Sequence, residues 1–196
     1  MRCAILGGSF NPIHVGHLIL AQEVLRTTDI ERIIFIPAAV PPHKSIIRDV
    51  PASERLLMVK ASVKGDRRFE VCDHEIQRGG LSYTIDTVAH IMASRRDIDG
   101  MLSVIIGDDL IESLSTWHRI DELSRMVNFI VATREDTVEK AKRDMPFPAA
   151  YCVMPKIDIS STMLRERLAA GEECRYLIPD GAYRIIKNKG LYRSNK

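Results

Sequence analysis

The 196-residue sequence has little cysteine and no long apolar run. Its four cysteines, at positions 3, 72, 152 and 174, lie far apart, and no two have the spacing of a zinc site or of a disulfide framework. No stretch approaches the roughly eighteen apolar residues of a membrane-spanning helix, and the N-terminal segment lacks the apolar core of a signal peptide. These absences predict a protein of the reducing cytoplasm with no membrane partner.

The net charge and the aromatic content are also low. Lys and Arg number 28 and Asp and Glu 26, so the net charge is only +2, and aromatic residues make up 6% of the chain. General affinity for nucleic acid needs a strongly basic surface, so we predict no nucleic-acid partner. Any site for an anion must be built locally.

Short apolar and amphipathic segments alternate along the whole chain. Continuously apolar runs predict six strands, at Cys3–Leu6, Arg32–Pro37, Phe69–Cys72, Leu102–Ile106, Asn128–Ala132 and Ala150–Met154. Amphipathic stretches predict helices at Val15–Arg26, Ala52–Val63, Thr84–Arg95, Ile111–Met126 with a break, Thr137–Arg143, Ser161–Ala170 and Ala182–Lys189. In the third helix, the spacing predicts a core-facing stripe of Ile85, Val88, Ala89 and Met92.

This alternation predicts an α/β fold with an open parallel sheet and helices on both faces, because strands buried on both sides are apolar throughout. In such sheets ligands bind at the carboxyl ends of the strands. The apolar content of 45% and the lack of a linker predict a single domain over residues 1–196. Its C-terminal part, from about residue 160, is expected to be helical.

The stretch "GGSFNPIHVGH", residues 7–17, stands where the first predicted strand passes into the first predicted helix. Gly7 and Gly8 let the backbone turn close to a ligand, and the free amides of a helix beginning at Val15 favour an anion. His14 and His17 are three residues apart, so both can donate hydrogen bonds to one phosphate group. A metal site needs a third ligand, and we predict none. Ordinary structural histidines are the alternative.

The stretch "KIDISSTMLRERL", residues 156–168, has the features of a second anion site. Ser160 and Ser161 suit the N-cap of a helix, Thr162 follows, and Arg165 comes one helical turn after Ser161. Hydroxyls, amides and a guanidinium group can then converge on one anion. The alternative is a capped helix with a solvated arginine.

These two motifs resemble those of the HxGH nucleotidyltransferase superfamily, which has the signatures GxFxPxHxGH and ISSTxxR. Ser9 and Asn11 stand where Thr and Asp are commoner. Three further stretches resemble bacterial nicotinate mononucleotide adenylyltransferases in order and spacing, and the likeness extends from Cys3 to Tyr192. They are "PPHK" at 41–44, "SYTIDT" at 82–87 and "IGDDLIESLSTWHRIDEL" at 106–123.

The resemblance implies a Rossmann-like nucleotidyltransferase domain that transfers the adenylyl group of ATP to nicotinate mononucleotide. The implied products are pyrophosphate and nicotinate adenine dinucleotide, in NAD biosynthesis. Mg²⁺ would be bound mainly through the phosphates of ATP. Within the superfamily, nicotinamide mononucleotide, phosphopantetheine, or a phosphoalcohol with CTP are alternative acceptor chemistries, and a catalytically silent nucleotide sensor is an alternative from another class. The oligomeric state is left open, a homo-oligomer included.

The resemblance also implies a role for individual residues. The catalytic residues would be His14, His17, Lys44 and Arg165. ATP would be bound by Gly7, Gly8, Ser9, Phe10, His17, Gly107, Asp109, Ser160, Ser161, Thr162 and Arg165. Nicotinate mononucleotide would be bound by Lys44, Ser82, Tyr83, Thr84, Trp117, His118 and Arg134, with Trp117 stacked on the pyridine ring and Thr84 and nearby amides facing the carboxylate. His118 replaces a tyrosine common among relatives, and we expect its backbone to matter more than its ring.

Overall fold

Six parallel strands form one sheet in the computed structural model, which describes residues 1–41 and 50–193. They are β1 (Cys3–Gly8), β2 (Arg32–Pro37), β3 (Phe69–Val71), β4 (Leu102–Gly107), β5 (Val127–Thr133) and β6 (Ala149–Val153). Their order in the sheet is β3-β2-β1-β4-β5-β6, and every neighbouring pair is parallel. The predicted α/β fold with a parallel sheet is therefore confirmed.

Eight α-helices accompany this sheet in the described part of the chain. They are α1 (Val15–Thr27), α2 (Ala52–Val63), α3 (His74–Arg78), α4 (Thr84–Ser94), α5 (Ile120–Met126), α6 (Val138–Asp144), α7 (Ser161–Ala169) and α8 (Asp180–Lys189). Helix α8 stops at Gly190, which adopts the left-handed conformation that ends many helices. None of these helices has both the length and the apolar character that crossing a membrane requires.

The sheet is apolar because both of its faces are covered. In β1, Ala4 and Leu6 pack into the core on one face, whereas Cys3 and Ile5 pack into the core on the other. Alternate side chains of a strand point to opposite faces, so a strand that is covered twice has no polar side. Burying each large aliphatic side chain of this kind contributes about 1.5–3 kcal/mol to stability. This double cover explains the continuous apolar runs of the sequence.

Two predicted segments differ in the structure. Helix α3 was not predicted, because five residues are too few to show a helical period. The predicted helix at Ile111–Met126 is wrong over its first half, where the chain forms a 3₁₀ turn at Leu114–Thr116 before α5 begins at Ile120. Arg119, just before α5, has a left-handed backbone with φ 53°, which interrupts the helical path.

The predicted core stripe of α4 is half wrong. Ile85 and Val88 are buried, but Ala89 and Met92 are exposed. The helix is turned because Thr87 also points inward, where its hydroxyl donates a 2.6 Å hydrogen bond to the buried carboxylate of Glu75 in α3. A polar pair in the core thus shifts which residues face the sheet.

The strand order places a switch point between β1 and β4. From β1 the chain moves outward to β2 and β3 on one side, and then returns to β4 on the other side of β1. The connections that follow β1 and β4 therefore leave in opposite directions and open a crevice at the carboxyl ends of these strands. Gly7 and Gly8 end β1 and Gly107 ends β4, so the predicted ligand loops border this crevice.

Candidate active site

A cavity of about 230 Å³ lies at the switch point, and we call it the switch-point cavity. Its walls come from the ends of β1 and β4 and from the loops beside α3 and α4. Residues of both predicted substrate sites line it, namely Gly7, Gly8, Ser9, Ser82, Tyr83, Thr84, Trp117 and His118. The fold therefore brings together side chains that are more than a hundred positions apart in the sequence.

The segment 9–14, between β1 and α1, is called the front loop. Phe10 is buried within it and has a left-handed backbone with φ 45°. Its ring contacts the ring of His17 at a centroid distance of 5.0 Å and that of Phe35 at 5.9 Å. A Cβ on Gly8 would lie 3.1 Å from the Phe10 ring, so the absence of a side chain at Gly8 leaves room for that ring.

The two histidines of the HxGH motif lie side by side, with ring centroids 3.7 Å apart. Nδ1 of His17 accepts a 3.1 Å hydrogen bond from the backbone amide of His14. This bond requires His17 Nδ1 to be unprotonated, so a neutral His17 carries its proton on Nε2. The same packing explains why the motif has glycine at position 16, because a Cβ there would lie only 3.0 Å from Nδ1 of His14.

The environment of His14 makes it an uncharged donor near neutral pH. Its side chain is buried, and this burial lowers its pKa to about 4, because the charged form loses its hydration. Its Nδ1 atom is buried and finds no hydrogen-bond partner among the residues that the structure describes. Buried polar atoms are normally satisfied, so this atom is consistent with a polar ligand at the front loop.

The N-terminal turns of α7 contact the front loop directly. The hydroxyl of Ser161 donates a 2.9 Å hydrogen bond to the carbonyl oxygen of Pro12. Arg165 donates through Nη1 to the carbonyl oxygen of Asn11 at 2.8 Å and through Nη2 to the hydroxyl of Thr162 at 3.0 Å. The second predicted anion motif therefore lies against the first.

Ser160 is the N-cap of α7, as the sequence suggested. Its hydroxyl accepts a 3.1 Å hydrogen bond from the amide of Met163. The alternative prediction of a solvated arginine does not describe Arg165, because the guanidinium group is half-buried and bonded to the front loop.

The three aromatic side chains predicted to bind nicotinate mononucleotide, Tyr83, Trp117 and His118, all line the switch-point cavity. The rings of Tyr83 and His118 stack at a centroid distance of 4.3 Å with 29° between their planes. Trp117 is half-buried beside them. Thr84 is the first residue of α4, so free backbone amides of a helix start are close to these rings.

Ten of the predicted site residues that the structure describes do not line the switch-point cavity. Seven of them lie around the front loop and α7, namely Phe10, His14, His17, Ser160, Ser161, Thr162 and Arg165, and the other three are Gly107, Asp109 and Arg134. Lys44 lies outside the described residues. Gly107 is the last residue of β4, and Asp109 lies in the turn that follows it. A Cβ on Gly107 would overlap the carboxylate of Asp109. Arg134 is exposed just beyond β5. Their assigned roles stay predictions, as do those of the other site residues.

No group of three or more His, Cys, Asp or Glu side chains that could hold a metal ion occurs within residues 1–41 and 50–193. The donors around the front loop are imidazole, hydroxyl and guanidinium groups. Such groups suit phosphate oxygens better than a hard cation, which prefers oxygen ligands.

Three buried polar residues that contact the front loop or line the cavity were missed by the sequence analysis. Arg55 of α2 donates a hydrogen bond to the carbonyl oxygen of Ser9 in the front loop. The sequence did hold a signal for its burial, because Arg55 has the i, i+3, i+4 spacing to the apolar residues Met58 and Val59 that marks one helix face. Tyr192 donates a 2.6 Å hydrogen bond to Oδ1 of Asn11 in the front loop, and burial raises its pKa.

The third is Glu75 of α3, which lines the switch-point cavity. Burial raises the pKa of its carboxyl group, although the hydrogen bonds that it accepts oppose this effect. No signal in the sequence distinguished this carboxylate from an exposed one.

Comparison with known proteins agrees with this geometry. Residues 5–167 match the family described as cytidylyltransferase-like. The chain is 39% identical over 198 residues to the "probable nicotinate-nucleotide adenylyltransferase" of Halalkalibacterium halodurans, covering 100% of this chain and 93% of that one. It is 39% identical over 191 residues to the protein of the same description from Geobacillus thermodenitrificans, covering 97% and 86%. The chain belongs to the nicotinate-nucleotide adenylyltransferase family.

Solved structures with the same fold include those of a nicotinic acid mononucleotide adenylyltransferase. The Plasmodium falciparum nicotinic acid mononucleotide adenylyltransferase complexed with NaAD superimposes with a TM-score of 0.78 at 20% identity, over 97% of each chain. The same enzyme complexed with APC superimposes with a TM-score of 0.77 at 18% identity, over 97% of this chain and 96% of that one. At these identities the likeness shows that this nicotinate-nucleotide adenylyltransferase family member has the same fold as the two structures.

Proposed function

We propose that the protein transfers the adenylyl group of ATP to nicotinate mononucleotide in NAD biosynthesis. The observation that carries the proposal is the contact of Arg165 and Ser161 with the front loop, beside a cavity lined by both predicted substrate sites. Membership of the family and the description of its relatives as nicotinate-nucleotide adenylyltransferases support it.

The reaction is a single displacement at phosphorus. An oxygen of the 5′-phosphate of nicotinate mononucleotide attacks the α-phosphorus of ATP, and the bond to the bridging oxygen of the β-phosphate breaks. The products are nicotinate adenine dinucleotide and pyrophosphate. The attacking oxygen is already anionic near neutral pH, so no general base and no covalent intermediate on the protein are needed. Positioning and stabilisation of phosphate charge then supply most of the catalysis.

The front loop and α7 supply the donors for this charge. His17 donates from Nε2 because its Nδ1 is held by the amide of His14. His14 adds a hydrogen bond without a charge, since its pKa of about 4 keeps it neutral. Arg165 has five N–H donors, of which the front loop and Thr162 use only part, so the guanidinium group also serves the departing pyrophosphate. Ser160, Ser161 and Thr162 surround the same phosphates, and Lys44 is proposed to contact them as well.

The acceptor occupies the switch-point cavity beside Tyr83, Trp117 and His118. Trp117 stacks on the pyridine ring, since a flat amphipathic side chain there matches a flat ligand. The nicotinate carboxylate faces Thr84 and the free amides at the start of α4, where the helix dipole favours an anion. Amides rather than a cationic side chain then distinguish the acid from the amide.

Mg²⁺ is proposed to arrive with ATP and to neutralise its phosphate oxygens. The groups around the front loop fit this arrangement, because imidazole, hydroxyl and guanidinium groups would donate to the phosphates of ATP, and the cation would then be bound by phosphate oxygens and water. The chain's own part is to hold the triphosphate in one orientation.

We also propose that the reaction takes place in the cytoplasm. Cys3, Cys152 and Cys174 are buried free thiols and Cys72 is partly buried, and burial raises the pKa of each. Thiols of this kind are unreactive and suit a reducing compartment.

The decisive experiment supplies the purified protein with ATP, Mg²⁺ and one acceptor at a time. Nicotinate mononucleotide, nicotinamide mononucleotide and phosphopantetheine are compared by release of pyrophosphate and by the adenylylated product. We expect the highest kcat/KM with nicotinate mononucleotide. A preference for another acceptor would correct the substrate, and ATP binding without turnover on any acceptor would favour the nucleotide sensor.

A further inference from the structure

Arg55 in the first turns of α2 is a buried cation held by backbone oxygens. Its side chain is 6% exposed. Nη1 donates to the carbonyl oxygen of Ser9 at 2.5 Å, and Nη2 donates to those of Ala38 and Ala39 at 2.7 and 3.1 Å. Within residues 1–41 and 50–193, no carboxylate forms an ion pair with it. The guanidinium group therefore joins the front loop to the segment that follows β2.

The choice of arginine at this place has a physical reason. Burying a cation is unfavourable unless hydrogen bonds replace its lost water, and burial lowers the pKa of Arg55 accordingly. The planar fork of a guanidinium group can reach two chain segments at fixed angles, which the single ammonium group of lysine does not do. Arg55 thus fixes both the distance and the orientation between the two segments.

The second segment continues to the nicotinate half of the site. The amide of Ala39 donates a 2.9 Å hydrogen bond to the hydroxyl of Ser82. Ser82 is itself one of the residues predicted to bind nicotinate mononucleotide, and Ser9 belongs to the loop proposed to hold ATP. Both serines line the switch-point cavity. A chain of hydrogen bonds through Arg55 and Ala39 therefore connects the two halves.

We infer that Arg55 is a positioning residue that sets the spacing between the ATP half and the nicotinate half of the site. The inference rests on the proposed function. Arg55 acts through the carbonyl oxygens of Ser9, Ala38 and Ala39 rather than on the reacting atoms. Misplacing one substrate relative to the other by about 1 Å can lower a rate by about a hundredfold, so a change at Arg55 must appear mainly in kcat.

The first test compares Arg55→Lys with the wild type and with Arg68→Lys, an exposed arginine paired with Asp66, as the matched control. Arg55→Lys keeps the charge and loses the fork. We expect its kcat to fall by about tenfold or more, with the KM for ATP changed less, and kcat of Arg68→Lys to stay normal. An unchanged kcat in folded Arg55→Lys, shown by circular dichroism, would overturn the inference.

The second test breaks the chain of hydrogen bonds at its other end, and the kinetics of its single variant do not depend on the folding of Arg55→Lys. Ser82→Ala removes the acceptor of the Ala39 amide. We expect it to impair the use of ATP as well as of nicotinate mononucleotide, and expect its effect on kcat to be less than additive with that of Arg55→Lys. A loss confined to the KM for nicotinate mononucleotide would contradict the coupling. An inactive wild type would instead contradict the proposed function.

Discussion

The Nδ1 atom of His17 accepts a hydrogen bond from the backbone amide of His14 at a distance of 3.1 Å. One imidazole therefore both completes the start of α1 and is held in a single tautomer. The ring cannot rotate without losing this bond, so the direction of its Nε2 proton is set before a substrate arrives. Donors that are oriented in advance stabilise a transition state most effectively.

Removal of the His17 imidazole should reduce turnover far more than stability. We expect His17→Ala to lower kcat by at least about a hundredfold, the range for loss of one donor to a transition state. His17→Asn is the informative companion, because its amide oxygen can still accept from the His14 amide while the Nε2 donor is lost. Steady-state kinetics and thermal unfolding separate the two effects. Nearly normal kcat in His17→Asn would remove this histidine from the mechanism.

The buried His14 should make the protein less stable as the pH falls below about 6.5. Its pKa is about 4 in the folded protein, so between these values the unfolded chain binds a proton that the folded chain does not. Stability therefore decreases with falling pH, by about 2 kcal/mol at pH 5 from this residue alone. Denaturant unfolding of wild type and His14→Gln at pH 7 and pH 5 measures the difference. Equal pH dependence of the two proteins would contradict the assignment.

The hydroxyl of Tyr192 should contribute to stability through the front loop. Tyr192→Phe leaves Oδ1 of Asn11 buried without its donor, and we expect a loss of about 1–3 kcal/mol in the free energy of unfolding. Tyr176→Phe is the control, since Tyr176 is 87% exposed and should change stability by no more than about 0.5 kcal/mol. Equal stabilities of the two variants in urea would show that the bond to Asn11 has no net effect.

His118 should tolerate replacement by tyrosine. The His118 ring stacks on Tyr83, and a phenol ring can form the same contact, while the backbone is unchanged. We expect kcat/KM for nicotinate mononucleotide to change by less than about tenfold in His118→Tyr. Tyr83→Ala, which removes the stacking partner, should lose more. A tenfold or larger loss in His118→Tyr would show that the imidazole itself takes part.

The strands and the longer helices could be predicted from the sequence because their signals are local. All six strands were placed within two residues at each end, since burial on both faces makes them apolar throughout. Helix α3 and the 3₁₀ turn before α5 are too short to show a period. The order of the strands depends on which crossovers pack beside β1, and no periodicity records that choice.

The site could be predicted only in part for a similar reason. Glycine and histidine spacing and helix caps mark the front loop and α7, so the sequence indicated His17 and Arg165 together. The residues that hold the loop carry no such signal. Arg55 donates to the backbone carbonyl oxygen of Ser9, and Tyr192 donates to the side-chain oxygen of Asn11, which is far away in the sequence. A carbonyl acceptor exists at every position, and therefore leaves no mark in the sequence.

The front loop is made early during synthesis, and three of the residues that hold it are made late. Its bonds from Ser161, Arg165 and Tyr192 span 149, 154 and 181 positions of the chain. A ribosome therefore makes the loop before these three supports exist, and the bond from Tyr192 can form only when that residue has left the exit tunnel. A chain that ends before Ser161 contains all six strands of the sheet but none of these three donors.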